Sequence, residues 1–207
     1  MKTIKKYKYI ISSTLALALA SSALVAEESG AFVGVGVGYG ASQVKFGSEK
    51  TDLNGISYEV IAGYKQFFTP SFGLRYYINF AYADASKKAK DGDPELIGNV
   101  MDYGVNVDAL YNLVASANAN FGVFVGVGAG ANTWGGRDIE HFNSKTGLNV
   151  ALNAGLRSQF GKHHSIEIAA RVPFIATTLE KADAAAGTPK VTASHTYNVG
   201  ARYVFSF

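Results

Sequence analysis

Hydrophobic and polar side chains alternate with a period of two along most of the chain after residue 30. In residues 31–41 (AFVGVGVGYGA) one face carries Val33, Val35, Val37 and Tyr39, and the other face carries four glycines. Such alternation predicts a β-strand with one apolar face. The pattern occurs in eight segments: 31–41, 56–66, 72–83, 101–113, 121–130, 148–156, 166–174 and 197–207. Each segment is close to the length that a tilted strand needs to cross a bilayer.

The connections between these segments alternate between short and long. The short ones lie around residues 67–71, 115–119 and 160–164, and the long ones around 47–55, 84–99, 135–146 and 175–195. Short turns at one end, long loops at the other and an even number of strands are typical of an outer-membrane barrel, which closes without a free edge. The predicted fold class is therefore all-β: an eight-stranded antiparallel transmembrane β-barrel with short periplasmic turns and longer extracellular loops.

Aromatic residues on the apolar face indicate that this face contacts lipid. Tyrosines lie near the long-loop ends and phenylalanines near the short-turn ends of the strands: Tyr39, Tyr58, Tyr82, Tyr103 and Tyr197 in one set, and Phe72, Phe121, Phe205 and Phe207 in the other. Two such rings are typical of the girdles that mark the two interfaces of a membrane. A soluble barrel of the lipocalin type would carry many Lys and Glu residues on its polar face. Here the polar face is mainly Gly, Asn and Ser.

The polar face is predicted to line the lumen. An eight-stranded barrel has an interior only wide enough for its own side chains. The two glycine-rich segments, 31–41 and 121–132, fall in the first and fifth of the eight strands, so they lie opposite each other and leave room for long side chains. The charged residues predicted to form a lumen network are Glu59, Lys65, Arg75, Asp102, Asp108, Arg157, Glu167, Arg171 and Arg202. Because an unpaired buried charge is costly, we expect these acids and bases to pair and to plug the lumen.

Two cross-strand pairs follow from the turn positions. Across the turn near residue 162, Arg157 and Glu167 are directly opposed on the lumen side, which predicts an ion pair between them. Lys65 and Arg75 are opposed in the same way across the 67–71 turn. This like-charge contact requires either a nearby acid or access to water at the barrel mouth.

The first 26 residues are typical of a secretory signal peptide. A basic start is followed by an apolar core, residues 9–20, and by small residues that permit cleavage after Ala26 or after Ala23. The apolar core is too short for a retained membrane anchor. Cleavage after Ala26 removes four of the 19 Lys and Arg residues and none of the 16 acidic residues, which leaves a net charge of −1. The predicted organisation is thus a signal peptide, residues 1–26, and one barrel domain, residues 27–207, with no nucleic-acid partner.

The opening GVGVGYG of the first strand and the closing YNVGARYVFSF, together with the signal peptide, resemble the small outer-membrane β-barrels. The likeness is to the Helicobacter outer membrane protein family in particular, and more distantly to barrels of the OmpA and OmpX type. It implies a location in the outer membrane of a Gram-negative bacterium, among outer-membrane lipids and lipopolysaccharide. It also implies that the barrel-assembly machinery reads Tyr203, Phe205 and Phe207 as an assembly signal. OmpA continues into a peptidoglycan-binding domain, whereas this sequence stops at Phe207, so wall anchoring is not implied.

Three functions are compatible with this sequence. The first is a structural or surface-interaction role, in which extracellular loops contact lipopolysaccharide, a host protein or another envelope protein. The second is a narrow channel for ions or small solutes, and the third is an outer-membrane lipid-modifying enzyme. His163 and Ser165 have the spacing used by lipid A deacylases, but they lie at a short turn and Ser165 has lumen parity. We therefore predict no enzymatic activity and no cofactor, and the four scattered histidines and the absence of cysteine predict no metal site.

Overall fold

The computed structural model describes residues 27–89, 95–116, 119–142, 144–183, 185 and 187–207, so the predicted signal peptide lies outside the described residues. The strands are β1 (Gly30–Phe46), β2 (Glu49–Phe67), β3 (Phe72–Lys87), β4 (Leu96–Ala115), β5 (Ala119–Gly135), β6 (Thr146–Phe160), β7 (His164–Pro173), β8 (Thr177–Glu180) and β9 (Val191–Ser206). Strands β1 to β7 and β9 pair antiparallel in that order, and β9 pairs back onto β1. The predicted eight-stranded closed barrel is confirmed, and β8 is a short additional strand on β9.

The first and last barrel strands join along most of their length. The ladder runs from the Phe32 and Ser206 pair to the Phe46 and Val191 pair, with one bulge after Ala41. Beyond the last strand, the Phe207 amide donates a hydrogen bond of 3.0 Å to the Ala31 carbonyl. No strand edge of the barrel is therefore left open at this seam, which a membrane-spanning sheet requires.

The outward face is apolar and the inward face is polar, as the alternation predicts. Val35, Ile78 and Val105 are between 57% and 62% exposed on the outer surface. The predicted girdle residues also point outward, with Tyr82 and Phe205 half-buried and the others exposed. Over the described residues, no helix is long and apolar enough to cross a membrane.

The strands extend beyond the predicted segments at the loop end. The prediction of a long loop at residues 47–55 is wrong. Gly47 and Ser48 form a tight turn, with φ of 60° at Gly47, and residues 49–55 belong to β2. Strand β8 and the start of β9 likewise occupy part of the predicted 175–195 loop. The reason is that the inward alternation continues above the girdle, for example in Val44 and Leu53, while the outward residues become polar. The three short turns lie where they were predicted.

The lumen glycines of β1 and β5 leave space that charged side chains fill. A Cβ atom on Gly128 of β5 would clash with the side-chain oxygen of Asn106 and would lie 2.9 Å from Nη1 of Arg171, which is closer than carbon and nitrogen atoms pack. A Cβ atom on Gly36 of β1 would lie 3.6 Å from Oε2 of Glu59, an ordinary contact distance. Glycine is destabilising within a strand, and here it permits long charged side chains to cross a narrow lumen.

These contacts predict different effects for two Gly→Ala substitutions. We expect Gly128→Ala to destabilise the barrel by about 1 to 3 kcal/mol, because the new methyl group displaces the Asn106 side chain and the Arg171 guanidinium that donates to it. Gly36→Ala has a closest contact of 3.2 Å, to the Ala201 carbonyl oxygen, and should cost less. Urea unfolding of the two refolded variants in detergent measures the difference, and equal destabilisation would contradict the proposed role of Gly128.

Candidate functional site: a filled lumen

The centre of the lumen contains a fully buried ion-pair cluster. Glu167 of β7 accepts hydrogen bonds from Arg75 of β3 at 2.6 Å and from Arg202 of β9 at 3.1 Å. The Arg75 guanidinium also donates to the Asp108 carboxylate of β4, with its shorter bond 2.7 Å long. Arg75 therefore reaches across the lumen between β3 and β7. Each carboxylate is satisfied by charge-assisted hydrogen bonds, the strongest kind available inside a protein.

The same cluster continues across the seam that closes the barrel. Arg202 donates to Oε2 of Glu59 on β2 at 2.7 and 3.0 Å. Strand β1, which lies between β9 and β2, presents Gly36 to this pair. The guanidinium can reach Glu59 because no side chain of β1 stands at that level. The ion pair therefore links the two strands that flank the N-terminal strand.

A second polar layer lies nearer the loop end and is built around Arg171. Its Nη2 atom lies 3.1 Å from the Asp102 carboxylate. Its Nη1 atom donates to the side-chain oxygens of Asn106 at 2.7 Å and Asn153 at 2.9 Å. Asn79 and Asn149 donate to the Asp102 carboxylate from two other strands. The asparagines thus supply hydrogen bonds to both members of this ion pair.

At the short-turn end, an acid outside the predicted network enters the lumen. Glu27 precedes β1, and its carboxylate accepts hydrogen bonds of 2.7 and 2.6 Å from the two Nη atoms of Arg157. It also accepts a bond of 2.7 Å from Nζ of Lys65. Burial raises the pKa of the Glu27 carboxyl, but Arg157 and Lys65 outweigh burial and lower the pKa from 4.5 to about 2. The Glu27 side chain is therefore an anion at neutral pH.

The prediction of an ion pair between Arg157 and Glu167 is wrong. The two residues are directly opposed in the ladder, but each pairs with other residues. Arg157 makes a bidentate contact with Glu27, and Glu167 is taken by Arg75 and Arg202. Long side chains in a lumen can lean along the barrel axis, so the best-matched carboxylate decides the pairing rather than the strand register. The bidentate geometry of Arg157 and Glu27 is such a match.

The like-charge contact of Lys65 and Arg75 is relieved by separate acids. The two residues are opposed between β2 and β3, as expected from the turn. Lys65 turns to Glu27 at the mouth, whereas Arg75 turns to Asp108 and Glu167 in the lumen centre. With Glu27 included, the described lumen contains five acids and five bases. The sequence indicated a missing acid only through the charge balance of the predicted network, which contains five bases and four acids.

The loop end of the lumen is closed by an apolar cap. Its members are Val44, Leu53, Ala83, Ala85, Val100, Trp134, Ile139, Phe142, Leu179, Val191 and Ala193. Ile139 and Phe142 come from the β5–β6 loop and Leu179 from β8, so loop residues fold inward over the mouth. Beneath the cap, the buried His195 ring lies 3.1 Å from the Ser42 hydroxyl. The alternation of the sequence does not predict this cap, although Trp134 shares lumen parity with Asn132 on β5.

Comparison with known proteins assigns this barrel to a family. A sequence model of the family described as Helicobacter outer membrane protein matches residues 59–207. The chain belongs to the Helicobacter outer membrane protein family. This confirms the predicted resemblance and the location in the outer membrane of a Gram-negative bacterium. No curated protein matches the chain.

Solved structures share the fold of this family member. Neisserial surface protein A (NspA) is 14% identical, with a TM-score of 0.53 over 87% of this chain and 100% of that one. Pseudomonas aeruginosa OprG is 14% identical, with a TM-score of 0.47 over 88% and 99% of the two chains. Yersinia pestis Ail is 18% identical, with a TM-score of 0.41 over 85% and 99%. At 14% identity, the likeness to NspA shows a shared β-barrel fold and no more.

The last strand of this Helicobacter-family barrel brings its aromatic residues together at the short-turn end. The Tyr203 hydroxyl lies 2.6 Å from Nδ1 of His164, and the His163 ring stacks on Phe205 at 5.7 Å. Phe205 and Phe207 form an edge-to-face pair with centroids 5.3 Å apart. The histidines of the β6–β7 turn thus pack beside the predicted assembly signal.

His163 and Ser165, which have the deacylase spacing, do not form a Ser–His pair in this family member. Ser165 is buried in the lumen, whereas His163 is exposed and its Nδ1 atom lies 2.8 Å from the Ser206 carbonyl oxygen. The described residues also contain no group of three or more His, Asp or Glu side chains able to hold a metal ion.

Double-mutant cycles can measure whether Arg157 pairs with Glu27 or with Glu167. We expect Arg157→Gln and Glu27→Gln to couple by about 1 to 3 kcal/mol, since the two side chains are in direct contact. Arg157→Gln and Glu167→Gln should couple by less than half as much, because neither residue has the other as its bonded partner. The free energies of unfolding of the single and double variants give both values. A stronger coupling of Arg157 to Glu167 would restore the pairing expected from register.

Proposed function

We propose that this protein is a closed outer-membrane barrel with a structural or surface-interaction role carried by its extracellular loops. The observation behind the proposal is the filled lumen, in which ion pairs occupy the centre and both ends are covered. Cavities beside Glu59 and Arg202, beside His195, and beside Lys65 and Arg157 have volumes of only about 20, 10 and 10 Å³. Such spaces hold one or two water molecules each. They favour a plug over a path for solutes.

The loop end offers a well-supported surface for a partner. The β1–β2 hairpin carries the half-exposed Phe46, whose ring centroid lies 6.4 Å from that of Phe142 in the cap. In the loop between β5 and β6, the Asp138 carboxylate accepts a 2.7 Å hydrogen bond from the Ile97 amide of β4. This bond, followed by the contact with Arg137, lowers the pKa of Asp138. These contacts attach the loops to the cap, and an ordered surface loses less entropy on binding.

The partners that we propose for this surface are lipopolysaccharide and a host or envelope protein. For biogenesis, we propose that the barrel-assembly machinery recognises Tyr203 and Phe205 of β9 and Phe207 directly after it, which stand at alternate positions in the sequence. The second candidate function is a narrow channel, which the lumen glycines favour because they leave space inside the barrel. A lipid-modifying activity has less support, because Ser165 faces the lumen and not the lipid.

We also propose that residues 1–26 are a cleaved signal peptide. Cleavage after Ala26 makes Glu27, which balances the lumen charges, the first residue of the mature chain. The intact mass of protein extracted from outer membranes should therefore correspond to residues 27–207. A mass that begins at Leu24 would move cleavage to Ala23, and a chain that lacks Glu27 would contradict its place in the lumen.

Conductance and loop replacement together test the proposed function. The refolded wild type should give no discrete conductance steps in a planar bilayer, because paired charges and the cap block the lumen. Cells displaying the barrel should bind lipopolysaccharide-coated or epithelial-cell surfaces. Replacement of the β8–β9 loop, residues 181–189, by a short Gly-Ser turn should reduce that binding without loss of the folded barrel. Stable steps that change in Arg157→Ala or Glu167→Ala would favour the channel, and unchanged cell binding would remove this loop from the proposal.

A further inference from the structure

We infer that the periplasmic mouth of the barrel contains a carboxylate-binding site, which the protein's own Glu27 occupies and which a small soluble monocarboxylate can take in its place. The site consists of Lys65, Arg157 and Asn112, from three different strands. Strands β2 and β6, which carry the two cations, lie opposite each other in the barrel. The site therefore spans the lumen at its short-turn end, on the side that faces the periplasm in barrels of this kind.

The donors of this site converge on one carboxylate. Both Nη atoms of Arg157 and the Nζ atom of Lys65 lie 2.6 to 2.7 Å from the Glu27 oxygens, and Nδ2 of Asn112 lies at 3.3 Å. The side-chain oxygens of Asn112 and Gln159 accept hydrogen bonds from Arg157 and Lys65 and hold the cations in place. Lys65 and Arg157 are each only 4% exposed. Two buried cations positioned by neutral amides form an arrangement that suits a planar, singly charged carboxylate.

The occupant is attached by contacts that can be released without opening the barrel. Residues 27–29, which we call the N-terminal strap, precede β1 and lie outside its ladder, which begins at Gly30. The Ser29 hydroxyl accepts a 2.9 Å hydrogen bond from the Phe67 amide, and Glu28 pairs with Lys162 at 2.6 Å. Both side chains of the Glu28–Lys162 pair are exposed by more than 60%, and such surface pairs hold weakly. The Glu27 carboxylate itself is therefore the main attachment of the strap.

Charge and volume define the ligand that can replace Glu27. Without Glu27, the five buried bases would face four acids, and one negative charge would restore the balance. The adjoining cavity beside Ser165 and Ser206 measures only about 10 Å³, so the ligand must fit the volume that the Glu27 carboxylate leaves. Above the site, the Arg75–Glu167 pair closes the lumen. A monocarboxylate of the size of formate or acetate fits these limits, and it would bind at the mouth without passing through the barrel.

Thermal unfolding of strap variants tests this site. The probe is sodium acetate against sodium chloride at equal ionic strength, with the mature chain refolded in detergent. Glu27→Ala should unfold at a lower temperature than the wild type, and acetate should raise its midpoint saturably by about 3 °C or more, which chloride should not do. Glu28→Ala, the matched control on the same strap, should respond like the wild type. Equal effects of acetate and chloride on Glu27→Ala would overturn the inference.

A second measurement decides the matter if Glu27→Ala does not fold. The chain contains no cysteine, so a spin label can be placed on a single Glu28→Cys variant that keeps Glu27. Acetate should displace the strap and increase the mobility of the label, and an equal concentration of chloride should not. A label with the same mobility in both salts would show that a carboxylate does not displace the strap and would overturn the inference. Because neither measurement depends on the extracellular loops, failure here leaves the proposed surface role standing.

Discussion

A charge buried inside an eight-stranded barrel must find its counterion within the same barrel, and this requirement organises the structure. The lumen is too narrow for bulk water, and an unpaired ion in it would cost several kcal/mol. The five buried bases are therefore matched by five acids, drawn from three strands and from the strap before β1. The glycines of β1 and β5 serve the same requirement. Gly128 leaves space for the Arg171 side chain, and Gly36 leaves space for the ion pair of Arg202 and Glu59.

Pairing across the lumen also explains how strands distant in sequence are held together. Backbone ladders join each strand only to its neighbours, whereas the chain of contacts from Asp108 through Arg75, Glu167 and Arg202 to Glu59 joins β4, β3, β7, β9 and β2. These contacts include both sides of the seam where the barrel closes. A buried ion pair is weak evidence for net stability, because desolvation offsets much of the attraction. Its clearer effect is on specificity, since a shifted register would leave several charges without partners.

The period-two pattern was sufficient to predict the eight barrel strands, their faces and the short turns, because each of these depends on local alternation. The partners within the network were not predictable in the same way. Arg157 stands opposite Glu167 in the ladder, yet its partner is Glu27, 130 residues away. Such a choice depends on the three-dimensional convergence of side chains. The apolar cap was missed for a related reason: Trp134 continues the lumen parity of β5, but Phe142 and Leu179 of the same cap come from the β5–β6 loop and from the four-residue strand β8, both outside the eight predicted strands.

The two ends of the lumen are closed by different physical means, and this difference separates their roles. The cap at the loop end is held by hydrophobic packing among residues of six barrel strands, β8 and a loop, so opening it would expose a cluster of buried apolar side chains to water. The periplasmic end is closed by one carboxylate on a short strap, and an ionic contact of this kind can be exchanged for a similar ligand without unfolding. The packed loop end agrees with the surface-interaction role that we propose for the extracellular loops. The ionic closure of the periplasmic mouth agrees with the carboxylate site that we infer there.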